Sequence, residues 1–140
     1  MKETEIKASW QKNAAPWAKA IDGGEIESRR LVTHQAIIAA VVATRSTTAL
    51  DIGCGEGWLA RELVDHGLEV TGIDMIGELI DIAKASGKGS YRQLAYEDLS
   101  AATLNARFDV AVANFSLLGD ESVTQVFRAL PALLNDGGHF

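Results

Sequence analysis

One short stretch of the sequence alternates glycines with other residues behind an aspartate: Asp51, Gly53, Gly55 and Gly57. Because glycine has no Cβ, a backbone built from it can turn sharply and lie flush against a ligand. Asp74 follows at the predicted end of the next strand, where its carboxylate can accept hydrogen bonds from both hydroxyls of a ribose. The loop and the acid together predict a site for a nucleoside-containing ligand. A tight strand-to-helix turn without a ligand is the alternative.

The residue after the loop separates the classes of nucleotide site. The dinucleotide pattern G-x-G-x-x-G requires glycine at position 58, where helix and strand pack closely, but Trp58 stands there. A P-loop requires a Gly-Lys-Ser or Gly-Lys-Thr run, which this loop lacks. The spacing therefore disfavours an NAD-dependent oxidoreductase and a nucleoside triphosphatase.

Strands and helices alternate around these residues. Strands are predicted at 47–52, 68–73, 90–94 and 108–113, and helices at 1–22, 25–43, 58–66, 76–85 and 122–134. Apolar residues three and four apart predict the helices, and short β-branched or apolar runs predict the strands. Ser122 is the predicted cap of the last helix, and 135–138 is a predicted turn after it. This alternation indicates parallel strands joined by right-handed crossovers.

Composition narrows the functional classes further. The chain of 140 residues fits one domain, and its net charge of −6 without a long basic run argues against nucleic-acid binding. The single cysteine, Cys54, offers neither an internal disulfide nor a metal-ligand cluster. No apolar run approaches the roughly 20 residues that span a bilayer, and the first residues lack a signal-peptide core. We expect a cytoplasmic protein that binds no nucleic acid, no membrane and no metal.

The stretch LDIGCGEGWLARELVDHGLEVTGIDMIGELIDIAK resembles the first two motifs of the class I S-adenosylmethionine-dependent methyltransferases, and the likeness extends from about Thr48 to Phe140. It implies a three-layer, Rossmann-like α/β fold with a mainly parallel sheet, preceded by two helices. It also implies transfer of a methyl group from S-adenosylmethionine to a small molecule, leaving S-adenosylhomocysteine. A module that binds either compound without turnover is one alternative, and an NAD-dependent oxidoreductase is a weaker one.

By this resemblance the cofactor-binding residues are Asp51, Gly53, Cys54, Gly55, Gly57, Asp74, Met75, Tyr96, Glu97, Asn114 and Phe115. The loop glycines line the methionine and ribose portions, Asp51 contacts the methionine end, and Asp74 holds the ribose. Met75 packs against adenine, with plain core packing as the alternative. Cys54 is interpreted as a small residue that fits the turn.

The third and fourth motifs depart from the family pattern. Ala95 stands where many relatives carry an aspartate, so adenine recognition falls to the backbone at Tyr96 or to Glu97, with ring stacking by Tyr96 a further option. A solvated acidic loop is the alternative there. Asn114 and Phe115 border the methyl group, but no Pro-Pro-aromatic run follows Asn114, which disfavours methylases that act on amino groups of nucleobases or glutamine.

The N-terminal helices are the expected substrate side. Residues 1–46 are predicted to cover the cofactor site, and residues 47–140 to form the S-adenosylmethionine-binding core. Trp10 and Trp17 share one helical face, as packing anchors or as walls of a substrate pocket. His34 is a candidate to face the site, although a surface or packed histidine is the commoner case. No catalytic residue is identified.

The sequence ends at Phe140, where the fifth strand of the family sheet should begin or run. The resemblance therefore implies a C-terminally truncated core that lacks the last two of seven strands. Because those strands normally cover a sheet edge, the exposed edge is a candidate for pairing with a second copy of the chain.

Overall fold

The computed structural model of the protein describes residues 29–114, 116 and 119–140, with side chains from residue 32 onward. The predicted helix over 1–22, the start of the second helix and Phe115 lie outside this part of the chain. None of the helices in the described part is long and apolar enough to cross a membrane.

A parallel sheet forms the centre of the described part. Its strands are β1 (Thr48–Ile52), β2 (Glu69–Asp74), β3 (Ser90–Gln93), β4 (Phe108–Val112) and β5 (Leu134–His139). They lie in the order β3-β2-β1-β4-β5, and every neighbouring pair is parallel. The prediction of a Rossmann-like parallel sheet is confirmed.

Helices connect the strands. They are α1 (Gln35–Ala43, preceded by a π-helical segment at Arg29–His34), α2 (Trp58–Asp65), α3 (Gly77–Ala85), α4 (Ala101–Leu104) and α5 (Asp120–Leu133). A short 3₁₀ helix follows β3 at Tyr96–Asp98. Gly67 lies just beyond α2 with φ of +93°, a conformation that glycine adopts readily and that ends helices.

The apolar residues of β1 point alternately to opposite faces of the sheet, as the period of a strand requires. Leu50 and Ile52 pack with α5, in a cluster that includes Leu99, Val126, Leu130 and Leu133. Ala49 belongs to the cluster on the other face, with Val41 of α1 and with Trp58, Leu59 and Leu63 of α2. Since both faces of β1 are covered, the structure has the three layers that the sequence predicted.

The strands are added to the sheet on one side of β1 and then on the other, so the strand order reverses between β1 and β4. From β1 it moves outward to β2 and β3, and it then returns to the other side of β1 to form β4 and β5. In open α/β sheets, ligands bind beyond the carboxyl ends of the strands at this switch point. The glycine loop after β1 and the residues after β4 both lie there.

Two local predictions near the C-terminus are wrong. Helix α5 begins at Asp120 behind Gly119, and Ser122 is buried in its first turn instead of capping it. Gly119, at the N-cap, has φ of +91°, a conformation that favours glycine, and it has no side chain with which to cap the helix.

The predicted turn at 135–138 lies within β5. The register between β4 and β5 passes from Phe108 opposite Leu134 to Val110 opposite His139, so the intervening residues form a bulge. A Cβ at Gly138 would lie 2.9 Å from the carbonyl oxygen of Asn135, which explains the glycine. The turn-forming residues bend a strand here and do not end it.

Candidate ligand-binding site

The loop after β1 is a tight turn tied to the end of β2. The backbone N–H groups of Gly53 and Cys54 both donate to the carbonyl of Ile73, at 2.8 and 2.9 Å. Gly53, Gly55 and Gly57 have φ of +74°, +59° and +94°. L-residues other than glycine rarely adopt these angles, so the path of the loop requires glycine at all three positions.

Gly53 lies beneath the segment that follows β4. The hydroxyl of Ser116 donates to the carbonyl of Ile52 at 2.6 Å, and the hydroxyl of Tyr96 donates to the carbonyl of Ser116 at 3.2 Å. A Cβ on Gly53 would collide with Cβ of Ser116 and with the hydroxyl of Tyr96. Ser116 therefore belongs to the site, and the sequence offered no signal for it beyond its place in the fourth motif.

The other two loop glycines have different surroundings. A Cβ on Gly57 would lie 3.0 Å from the hydroxyl of Tyr91, whereas a Cβ on Gly55 would have no atom within 4 Å. Among the three glycines, Gly55 is therefore the one whose Cβ position faces open space. At Gly53 and Gly57 an added Cβ would meet other residues of the protein.

Asp74, the last residue of β2, is held by the loop. Its Oδ2 accepts a hydrogen bond from the N–H of Gly55 at 3.0 Å, and its Oδ1 accepts one from the N–H of Ile76 at 2.9 Å. Burial raises the pKa of Asp74, and the hydrogen bonds from these backbone groups oppose that effect. Each carboxylate oxygen has a second lone pair, so Asp74 can accept further hydrogen bonds from a ligand.

Asp51 is a buried carboxylate in β1, with 2% of its surface exposed. Its Oδ2 has no hydrogen-bond partner among the residues that the structure describes. Burial, and then the charges of Asp74 and Glu56, raise the pKa of Asp51 to about 7. Because a buried polar group without a partner is unfavourable, this oxygen is suited to a donor or cation supplied by a ligand.

Asn114 presents the complementary group at the end of β4. Its Nδ2 is a buried atom with no hydrogen-bond partner in the described part of the chain. Strand β4 pairs with β1 so that Val112 lies opposite Asp51, which places Asn114 two residues beyond that pair. An unsatisfied acceptor near the end of β1 and an unsatisfied donor just beyond β4 thus lie at the switch point.

The remaining predicted residues differ in their surroundings. Met75 is partly buried and packs with Ile76 and Leu79. Cys54 is 4% exposed, and burial raises the pKa of its thiol, so the neutral form is favoured. Glu97 is exposed and lines a groove of about 400 Å³ whose other wall is the start of α5.

His34 lies against the start of α2. Its ring stacks on that of Trp58 with centroids 3.5 Å apart and an angle of 9° between the planes. Trp58 directly follows the glycine loop, so His34 is a packed histidine beside the site. Across the described residues, no group of three or more His, Cys, Asp or Glu side chains has an arrangement that could hold a metal ion.

Comparison with known proteins gives a family match over most of the chain. The family described as "Methyltransferase domain" matches residues 49–138. Ubiquinone biosynthesis O-methyltransferase of Coxiella burnetii is 32% identical over 100 residues, which are 69% of this chain and 43% of that protein. The protein of the same name from Marinobacter nauticus is 35% identical over 104 residues, covering 70% of this chain and 44% of the relative. This chain thus spans less than half the length of these curated relatives.

Solved structures share the fold. A TehB-like SAM-dependent methyltransferase from Corynebacterium glutamicum superposes with a TM-score of 0.70 at 21% identity, covering 94% of this chain and 70% of that one. Magnesium protoporphyrin IX methyltransferase from Synechocystis, solved with bound SAH, gives a TM-score of 0.62 at 19% identity, covering 74% of this chain and 51% of that one. At these identities the likeness extends to the architecture alone.

Proposed function

Because the chain belongs to the methyltransferase-domain family of class I, S-adenosylmethionine-dependent proteins, we propose that it binds S-adenosylmethionine and transfers the methyl group to a small molecule. The observation that carries this proposal is the unpartnered, buried Oδ2 of Asp51 beside the glycine loop. A carboxylate in that position favours a ligand that brings a positive charge and hydrogen-bond donors, and S-adenosylmethionine has both.

The amino-acid end of the cofactor is assigned to the switch point. Asp51 accepts hydrogen bonds from the ammonium group, and the amide of Asn114 donates to the carboxylate. Both protein groups lack partners within the described part of the structure. An α-amino acid supplies one donor and one acceptor, so it would satisfy both at once. Gly53, Cys54 and Gly55 line this portion with backbone.

The nucleoside end is assigned to the ends of β2 and β3. Asp74 accepts hydrogen bonds from the ribose hydroxyls, and its fixed position supports this role because two backbone N–H groups already orient it. Gly57 completes the loop that faces the ribose. The side chain of Met75 packs against adenine, and Glu97 or the backbone at Tyr96 reads the adenine edge.

Catalysis in this site consists mainly of alignment and desolvation. When bound, S-adenosylmethionine supplies a methyl group that its positive sulfonium has already activated for in-line displacement. The chain holds the reactants in register and excludes water from the attacking atom. Asn114 and Phe115 follow β4 and are proposed to border the methyl group; Phe115 lies outside the described residues.

The acceptor is proposed from the relatives. The relatives named above are O-methyltransferases of ubiquinone biosynthesis, which favours a hydroxyl group of a small molecule as the methyl acceptor.

Residues 1–46 are proposed to cover the site, with residues 47–140 as the core that binds the cofactor. Support comes from α1, whose Val41 packs in the same cluster as Trp58.

Self-association of the chain and its cellular location are also proposals. Strand β5 lies at the edge of the sheet, and we propose that a second copy of the chain pairs there. Phe127 and Phe140, 55% and 52% exposed, meet edge to face with centroids 5.6 Å apart and provide apolar surface. Sedimentation over a range of concentrations tests the association. A cytoplasmic location is proposed from composition alone.

Calorimetry tests which of three compounds the chain binds. We expect S-adenosylmethionine and S-adenosylhomocysteine to bind and NAD not to bind. Binding of NAD with neither of the other two would overturn the proposal. Transfer of a labelled methyl group to hydroxylated aromatic molecules then tests turnover, and binding without transfer to any acceptor would favour a module that only holds the cofactor.

A further inference from the structure

The side chain of Glu56 folds back onto the helix that follows the glycine loop. Glu56 is only 1% exposed, and its Oε1 accepts a hydrogen bond from the N–H of Trp58 at 3.1 Å. Trp58 is the first residue of α2, and Gly57, at the N-cap, has no side chain to accept from that helix. A carboxylate therefore lies at the N-terminus of α2, where the helix dipole and the free N–H groups favour an anion.

Arg61 fixes this carboxylate. One guanidinium nitrogen of Arg61 lies 2.5 Å from Oε2 of Glu56, and the other donates to the carbonyl of Glu56 at 2.7 Å. The N–H of Arg61 donates in turn to the carbonyl of Gly57 at 2.9 Å. These bonds from side chain and backbone hold the carboxylate of Glu56 against the start of α2.

Nucleotide sites of this fold class place a phosphate at the same point, on the N–H groups at the start of the helix after β1. We infer that Glu56 is a specificity-determining residue, whose carboxylate occupies this anion position and excludes phosphate-bearing nucleotides from the site. The inference rests on the proposed function, since it names what sets the ligand class of the same site.

The charges of neighbouring acids also disfavour a phosphate in this site. Asp51 lies near enough to Asp74 and to Glu56 for the charges of both to act on it, and Oδ2 of Asp51 is buried without a partner in the described residues. A phosphate entering between these groups would meet negative charge in a poorly solvated site, which is strongly unfavourable. A ribose that carries a sulfonium brings the opposite charge.

Titration of pyrophosphate and ADP into three proteins at one ionic strength tests the inference. We compare the natural chain with Glu56→Gln, which keeps the volume and the acceptor for the N–H of Trp58, and with Glu56→Ala, which empties the position. Calorimetry should detect little binding to the natural chain and an affinity gain of about tenfold or more in the variants, larger for alanine. Glu62→Gln is the matched control, because it removes the same charge from an exposed position on α2.

The titration results can overturn the proposed role of Glu56. Equal pyrophosphate affinity in the natural chain and in a folded Glu56→Ala protein would overturn the inference, and so would an equal gain in Glu62→Gln. If Glu56→Ala does not fold, as judged by circular dichroism, Glu56→Gln decides by the same criterion. S-adenosylmethionine is titrated in parallel. If the natural chain fails to bind it while the Glu56 variants gain pyrophosphate, the proposed cofactor is wrong and the exclusion of phosphate stands.

Discussion

The N–H of Gly55 donates a hydrogen bond to Oδ2 of Asp74 at 3.0 Å. This bond joins the middle of the glycine loop to the acid at the end of the neighbouring strand, two features that stand well apart in the sequence. Gly55 is also the loop position where a Cβ would meet open space. The bond therefore places a carboxylate beside the part of the loop that a ligand can reach.

Replacement of Asp74 should weaken cofactor binding. Asp74→Ala removes an acceptor that is already oriented by two backbone donors, and the lost ribose hydrogen bonds are worth about 1–3 kcal/mol. We expect the affinity for S-adenosylmethionine, measured by calorimetry, to fall by that amount. Asp81→Ala is the control, since it removes an exposed acid from α3. Equal affinity in the natural chain and a folded Asp74→Ala protein would exclude a role in holding the ribose.

Asp51 should make the folded protein less stable as the pH rises. Burial first, and then Asp74 and Glu56, raise its pKa from 3.8 to about 7. Between these two values the folded state holds a proton that the unfolded state has released, so the free energy of unfolding falls with rising pH across that interval. Above about pH 7 the contribution of this group is constant.

Asp51→Asn removes that titration while keeping the size of the side chain. We expect the variant to be more stable than the natural chain at pH 8, with the difference shrinking toward pH 4. Urea unfolding at several pH values measures it. A difference that stays the same at every pH would show that Asp51 has an ordinary pKa in the folded protein.

The sequence predicted what depends on local pattern. The glycines of the loop and the acid at the end of β2 share a spacing that strand, turn and helix geometry imposes, so the sequence alone places Asp51, Gly55 and Asp74 near the ends of neighbouring strands. The parallel direction of the strands follows from the same alternation of strands and helices. Each of these features depends on patterns within single strands, loops or helices and on their order along the chain.

The features that the sequence missed depend on contacts between distant segments. Ser116 reaches the carbonyl of Ile52 only because β4 lies beside β1. The bulge in β5 is likewise a property of its pairing with β4, and the turn-forming residues at 135–138 gave no sign of it. Nothing in the sequence distinguishes Glu56 from its loop neighbours, because its role depends on the hydrogen bond that it accepts from the N–H of Trp58.

Variants of Tyr96 can separate the role of its hydroxyl from the role of its ring. Its hydroxyl donates to the carbonyl of Ser116, while stacking of its ring on adenine is one of the options for adenine recognition. Tyr96→Phe removes the hydroxyl alone and should lower the free energy of unfolding by about 1 kcal/mol, the usual value of one hydrogen bond. If the ring contacts adenine, Tyr96→Phe should keep its affinity for S-adenosylmethionine and Tyr96→Leu should lose affinity. Equal affinities in the two variants would remove the ring from the binding site.

The loop glycines should respond differently to alanine. Both Gly53 and Gly55 have positive φ, which costs an L-residue roughly 1–2 kcal/mol. At Gly53 the new Cβ would also collide with Ser116 and Tyr96, so Gly53→Ala should destabilise the protein well beyond that backbone cost. At Gly55 the Cβ enters open space, so Gly55→Ala should cost little more than the backbone strain.

Because that space is where the ligand is proposed to lie, Gly55→Ala should nevertheless weaken binding of S-adenosylmethionine. Urea unfolding and calorimetry on the two variants would show whether stability and binding separate in this way. Full binding by Gly55→Ala would place the ligand elsewhere.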